Sequence, residues 1–191
     1  MTLIEYLYLT IFILITLIRK YFMARHKVER QLVKDTSLPD KFLLGLMGIG
    51  MLVPFVILFT DWLSFSEYKP YVPMQWIGIF LFAFSGHVLY RSHADLSRNW
   101  NTGVAINEEA TLVTGGIYRS MRHPMYAAHL YWAMANVLII PNWIAGPAMM
   151  LVAVVFLPFR IKREEKLMKE QFGQAYKEYA QSIKRLIPGI I

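Results

Sequence analysis

The chain has 191 residues, 56% of them hydrophobic and 15% aromatic but only 17% charged, more apolar side chains than one soluble core of this size can bury, so a bilayer is the expected solvent. A formal charge of +7 would suit nucleic acid if it covered a polar face, but the Lys and Arg residues sit between apolar runs, where they act as topology signals, and no nucleic-acid partner is expected. The absence of cysteine excludes disulfides, thiolate metal sites and cysteine nucleophiles.

Five apolar stretches follow one another at about 3–18, 42–60, 74–90, 125–140 and 143–159. Each is of helix length, and the shorter ones are extended by flanking aromatic, Lys and Arg residues that reach the bilayer surface. The first has no basic leader and no small-residue cleavage site, and Arg19 and Lys20 follow it directly, so it reads as a retained anchor. The expected fold is therefore all-α: one integral membrane domain over 1–191, an α-helical bundle of about five transmembrane helices. A cytoplasmic loop at 91–124 and an amphipathic cytoplasmic tail at 160–191 complete it.

The segments between these stretches carry seven, one, four, none and eight Lys or Arg residues in chain order. With five crossings, nineteen of the twenty positive charges share one side, which the positive-inside rule assigns to the cytoplasm. The N-terminus is then outside and the C-terminus cytoplasmic. Merging the last two stretches, or omitting the first, would divide the basic loops between the two faces.

Pro141 and Asn142 leave almost no connector between the last two stretches, which calls for a tight helical hairpin. Gly45, Gly48, Gly50, Gly78 and Gly86 are small residues that permit close helix contact. In the tail, Leu167, Met168, Phe172, Tyr176, Tyr179 and Ile183 recur at helical spacing. Gly173 is expected to divide this tail into two short helices lying along the membrane surface, and Pro188 to end the second.

Two polar clusters carry the chemical information. Gly115 and Gly116 free the backbone, while Tyr118, Arg122, His123 and Tyr126 bring two phenols, a guanidinium and an imidazole to one membrane edge. Spacing alone fits a polar pocket and a capped helix start with lipid-binding Arg equally well. In the second cluster, Arg160 and Glu164 lie four apart on one helical face. A guanidinium there can grip a carboxylate or phosphate, and a neighbouring carboxylate can accept from ribose hydroxyls, but an ordinary intrahelical ion pair fits as well. His87 and His93 lack metal-ligand spacing, so a packed histidine is the expected role and no metal is expected.

Taken together, Gly-x-Tyr-x-x-x-Arg-His-Pro-x-Tyr at Gly116 to Tyr126 and Arg-x-x-x-Glu-Glu-x-x-Leu-x-x-x-x-Phe-Gly-x-x-Tyr-x-x-Tyr at Arg160 to Tyr179 resemble the isoprenylcysteine carboxyl methyltransferase family. Asp95-Leu96-Ser97-Arg98-Asn99-Trp100 and Arg185-Leu186-Ile187-Pro188 are similar to two further family motifs, so the likeness covers roughly Asp95 to Pro188. Ser97 and Ala128 stand where the family often has glycine. The resemblance implies a membrane-embedded methyltransferase that uses S-adenosylmethionine, releases S-adenosylhomocysteine and has no Rossmann domain. Carried over by position, Ala110, Thr111, Leu112, Val113, Gly116, Tyr118, Arg122, His123, Pro124, Met125 and Tyr126 would bind the cofactor with Glu164 or Glu165, and Arg160 would hold the substrate carboxylate as the catalytic residue. The implied acceptor is a lipophilic, prenylated carboxylate reached through membrane lipid. A phospholipid amine N-methyltransferase and a non-catalytic lipid-binding membrane protein are the alternative readings.

Overall fold

The computed structural model describes residues 1–25, 38–96 and 111–190. Five helices account for most of them: α1 (Leu3–Arg25), α2 (Leu38–Phe59), α3 (Val72–Leu96), α4 (Pro124–Ile139) and α5 (Ala145–Ser182). Two short 3-10 turns, Ser64–Ser66 and Gly116–Arg119, complete the order. No strand occurs among the described residues, only an isolated bridge between Glu67 and Asn142.

Three helices, α1, α3 and α5, are long and apolar enough to cross a membrane. The apolar part of α2, Leu44–Phe59, is shorter, and the 16 residues of α4 span about 24 Å. Both short helices are packed against the long ones: α4 lies along α3 and α5, and α2 lies on α5. Many of the apolar side chains left outside this packing, among them Ile13, Leu17, Phe80, Leu151, Val154 and Val155, form the surface that acyl chains cover.

The core is aromatic. Tyr8 stacks on Phe82 at 5.0 Å and Phe12 meets Trp132 edge-on at 5.7 Å between ring centres. Asn136 is fully buried; its Oδ1 accepts from the Tyr8 hydroxyl at 3.2 Å and its amide reaches the Met149 sulfur at 3.7 Å. One polar side chain thus joins α1, α4 and α5 where water cannot compete. Glycine brings the backbones closer still. A Cβ at Gly78 would sit 2.6 Å from Ile139 Cγ1 and 2.9 Å from Leu138 Cβ, and Gly50 and Gly86 likewise abut α5 and α1, whereas Gly45 and Gly48 face open space.

The hairpin between α4 and α5 is fastened by Asn142, whose side chain is buried. Its Oδ1 accepts from the backbone N–H groups of Ile144 and Ala145, each at 3.0 Å, and its amide donates to Leu63 O at 2.8 Å. The same residue therefore caps α5 and ties it to the α2–α3 connection. Trp62, Phe65, Tyr71 and Trp143 are exposed around this end of the bundle, as aromatic residues are at a membrane–water boundary.

At the other end the tail departs from expectation. Instead of a separate short helix, residues Ile161 to Phe172 continue α5 directly, and the break comes at Gly173, with φ 54° and ψ −122°. A straight helix would carry Arg185 about 30 Å from Glu165; the turn at Gly173 brings the two side chains to 2.9 Å. Helical structure then ends at Ser182, not at Pro188. Extended backbone takes over there because the carbonyls of Lys184 and Arg185 accept the N–H groups of Arg122 and His123 at 2.8 and 2.9 Å.

Replacing Gly78 by Ala is expected to force α3 and α4 apart and to lower stability in detergent by about 1–3 kcal/mol. Gly48→Ala should leave thermal unfolding nearly unchanged. Comparing the two melting curves checks whether helix proximity, and not helix propensity, is what Gly78 provides.

Candidate active site

The two clusters singled out in the sequence meet at the tail end of the bundle. The turn before α4 supplies Arg122 and His123, with Pro124 opening the helix at a position where its missing N–H costs nothing. Tyr126 follows in the first turn of α4, and α5 supplies Arg160, Glu164 and Glu165.

Glu165 is the hub. Its carboxylate is 5% exposed and accepts from Arg185 Nε at 3.0 Å and Nη2 at 2.9 Å, while Arg122 Nη2 lies 3.1 Å and His123 Nε2 3.4 Å from Oε1. Burial by itself disfavours its charge, but the hydrogen bonds from His123 and Arg185 and the charge of Arg122 outweigh that effect, so the carboxyl lies well below the ordinary carboxylate range. Arg185 is shifted up by the same hydrogen bonds and charge.

Glu164 lies on the neighbouring side. Its Oε2 accepts from the Tyr126 hydroxyl at 2.6 Å, and the Arg160 guanidinium lies close enough for its charge to act on the same phenol. Arg160 is buried, with its guanidinium 5.8 Å from the centre of the Phe156 ring. A cation, a phenol and a carboxylate are therefore gathered at the edge of the apolar bundle.

The loop that precedes α4 is anchored from α3. Asp95 Oδ2 accepts the Ile117 N–H at 2.8 Å and pairs with Arg91. Gly116 has φ +57°, and a Cβ there would run into the Asp95 carboxylate, which explains glycine at this position. Tyr118 is buried; its hydroxyl donates to Ser92 O at 3.3 Å and its own carbonyl accepts from Tyr179 at 2.6 Å. Burial raises both phenols, Tyr118 well above its ordinary value and Tyr179 to about 12, so both remain donors at neutral pH.

Of the residues selected from sequence, Arg122, His123, Pro124, Tyr126, Arg160, Glu164 and Glu165 form one assembly, and Gly116 and Tyr118 support it. Thr111 is exposed, while Leu112, Val113 and Met125 are partly buried; Ala110 lies outside the described residues. His93 is buried and stacked on Phe22 at 5.2 Å, and His87 is exposed on α3. Three residues of the assembly were not selected: Asp95, Tyr179 and Arg185. Each lies in a motif quoted for the family resemblance, but only the fold reveals the contact it makes.

The lowered native value of Glu165 means that the unfolded chain takes up the proton first. Its stabilising effect is complete above the ordinary carboxyl value of about 4.3 and is lost as pH falls towards the native value. Thermal unfolding in detergent is expected to show this loss between pH 5 and more acid conditions. Glu165→Gln should be less stable at pH 7 by about 3 kcal/mol and should flatten the acid limb, which the same pH series measures.

Comparison with known proteins identifies the family. Residues 76–170 match the model of the isoprenylcysteine carboxyl methyltransferase (ICMT) family. A probable protein-S-isoprenylcysteine O-methyltransferase of Oryza sativa subsp. indica is 30% identical over 69% of this chain and 70% of its own. The protein-S-isoprenylcysteine O-methyltransferase of Dictyostelium discoideum is 31% identical over 75% of this chain and 61% of its own. The solved structure of a eukaryotic intramembrane Ras methyltransferase ICMT superposes with a TM-score of 0.56 at 24% identity, covering 83% of this chain and 55% of that one. With a family model matched over residues 76–170 and a relative 30% identical over 70% of its own length, the chain belongs to the isoprenylcysteine carboxyl methyltransferase family.

Proposed function

We propose that this protein is a membrane-embedded carboxyl O-methyltransferase that moves a methyl group from S-adenosylmethionine to the carboxylate of a lipophilic, isoprenylcysteine-type acceptor. One observation carries the assignment of roles: the Tyr126 hydroxyl on α4 donates at 2.6 Å to the Glu164 carboxylate on α5, one helical turn after Arg160. That contact sets an acceptor for ribose or amino donors beside a buried guanidinium suited to a carboxylate.

Several observations fit the cofactor. The second oxygen of Glu164 has no partner among the described residues, so it is open to a hydroxyl or ammonium group. Tyr126 donates to the other Glu164 oxygen, Tyr118 lies close enough to sense the Glu164 charge and His123 stacks on Tyr126; Leu112, Val113 and Gly116 are assigned to the same site on the family motif alone. When bound, the cofactor supplies an electrophilic methyl sulfonium. Of the two acidic residues, Glu164 is the one we assign to it, since Glu165 is occupied by Arg122, His123 and Arg185.

Arg160 aims the acceptor. A carboxylate needs no proton removed before it attacks, so positioning and exclusion of water suffice, and holding reactants in line is worth several kcal/mol. The step also removes charge, because a carboxylate and a sulfonium become an ester and a thioether, which a dry site at the membrane edge favours. The apolar tail of the acceptor stays among lipid while its head enters from the side. We assign the basic end of the bundle, and with it the C-terminus, to the cytoplasm and the N-terminus to the opposite side, on the strength of the Lys and Arg distribution and the aromatic rim at the other end.

Arg160→Lys is expected to keep the fold and the cofactor affinity while kcat falls at least about tenfold, because an ammonium cannot hold a carboxylate in two places. The assay is transfer of radiolabelled methyl to a small isoprenoid thioether acid, read as base-labile ester, and unchanged turnover would remove Arg160 from the mechanism. Saturating S-adenosylmethionine at 100 times its dissociation constant should stabilise the detergent-solubilised protein by roughly 2.7 kcal/mol. Absence of that shift would point to a non-catalytic protein.

A further inference from the structure

Arg160 stands where α5 passes from its apolar run into the charged residues that follow, and an arginine at such a boundary ordinarily stretches its long side chain outwards into water. Lys162, Lys166 and Lys169, on the next turns of the same helix, are exposed in this way. Arg160 is not: it is 4% exposed, and its guanidinium carbon lies 5.8 Å from the centre of the Phe156 ring. Phe156 is one turn nearer the hairpin, so the Arg160 side chain leans back towards the N-terminus of α5 and into the apolar bundle. The ring it meets is firmly set, because Phe156 is itself 4% exposed and belongs to the core with Ala153, Leu157 and Ile161.

The face of an aromatic ring carries partial negative charge and attracts a guanidinium within about 6 Å, most strongly where both are out of water. Along the axis of α5 this attraction opposes another. Glu164 follows Arg160 by one turn and draws the cation outwards, and the Tyr126 phenol senses the charges of both; Phe156 precedes it by one turn and draws it inwards. The balance sets the depth of the guanidinium. That depth matters because an acceptor whose tail stays among lipid brings its carboxylate from the hydrocarbon side. A ring also holds a cation without the lone pairs that would compete for its N–H groups. We propose that Phe156 is a positioning residue for methyl transfer, holding Arg160 inward through a cation–π contact so that the guanidinium meets the acceptor carboxylate at the edge of the hydrocarbon. The inference rests on the methyltransferase reading given above and deepens it by naming what aims Arg160.

The test uses the full-length protein in detergent, with Phe156 replaced by monofluorinated and by 3,4,5-trifluorinated phenylalanine, which keep the shape of the ring while weakening the negative potential of its face. Transfer of radiolabelled methyl to a small isoprenoid thioether acid is measured beside the melting temperature and the affinity for S-adenosylhomocysteine. The kcat/KM for the acceptor should fall step by step with fluorination, by at least about threefold for the trifluorinated ring, while melting temperature and S-adenosylhomocysteine affinity stay the same. Phe156→Leu, which removes the ring altogether, should lose more than the trifluorinated protein. Unchanged turnover on trifluorination would overturn the assignment and leave Phe156 a packing residue, whatever Phe156→Leu does. A loss matched by a lower melting temperature or weaker S-adenosylhomocysteine binding would overturn it as well. Failure of wild type to form any base-labile ester would instead bring down the methyltransferase reading itself, and this inference with it.

Discussion

Three separate parts of the chain converge on the carboxylate of Glu165: the Arg122-His123 turn before α4, the helix α5 that bears the carboxylate, and the tail that returns with Arg185. The Glu165, Arg122 and His123 side chains are buried, so the attraction among them is strong and so is the penalty for leaving one of them alone, while Arg185 closes the cluster at 2.9 Å from the more exposed side. This interaction decides where everything else in the site stands. It fixes the first turn of α4, and therefore Tyr126, against the face of α5 that carries Arg160 and Glu164.

The remainder of the fold brings these parts within reach. Asn142 closes the α4–α5 hairpin at one end, so the two helices run side by side and their polar ends coincide at the other. Gly173 then reverses the tail, and two backbone hydrogen bonds to Lys184 and Arg185 complete the join. The apolar helices act as a frame that holds a small set of charged groups at the edge of the hydrocarbon, where charge-cancelling chemistry has the most to gain from a low dielectric.

Much of this was legible in the sequence, and the reasons differ by residue. Hydropathy located the helices because a bilayer requires long apolar runs, and the missing connector at Pro141-Asn142 required a hairpin. The two motif clusters could be selected because guanidinium, imidazole, phenol and carboxylate groups seldom gather beside apolar stretches without a task. Spacing could not separate Glu164 from Glu165, since adjacent residues on a helix differ only in which neighbour they face, and that neighbour comes from another part of the chain. Arg185 escaped for the same reason: its role depends on the reversal at Gly173, and a glycine in sequence marks a break without giving its direction. The apolar run ends near Phe159, yet α5 continues through the charged residues to the break at Gly173, because a helix that leaves the membrane goes on as long as its backbone bonds are met.

The two motifs meet through Glu165. A double-mutant cycle on Arg122 and Glu165, built from thermal or denaturant unfolding of wild type, Arg122→Ala, Glu165→Ala and the double variant, measures that meeting directly. A coupling of at least about 1 kcal/mol is expected for residues in one buried network, whereas additivity within about 0.5 kcal/mol would mean that the two motifs do not touch.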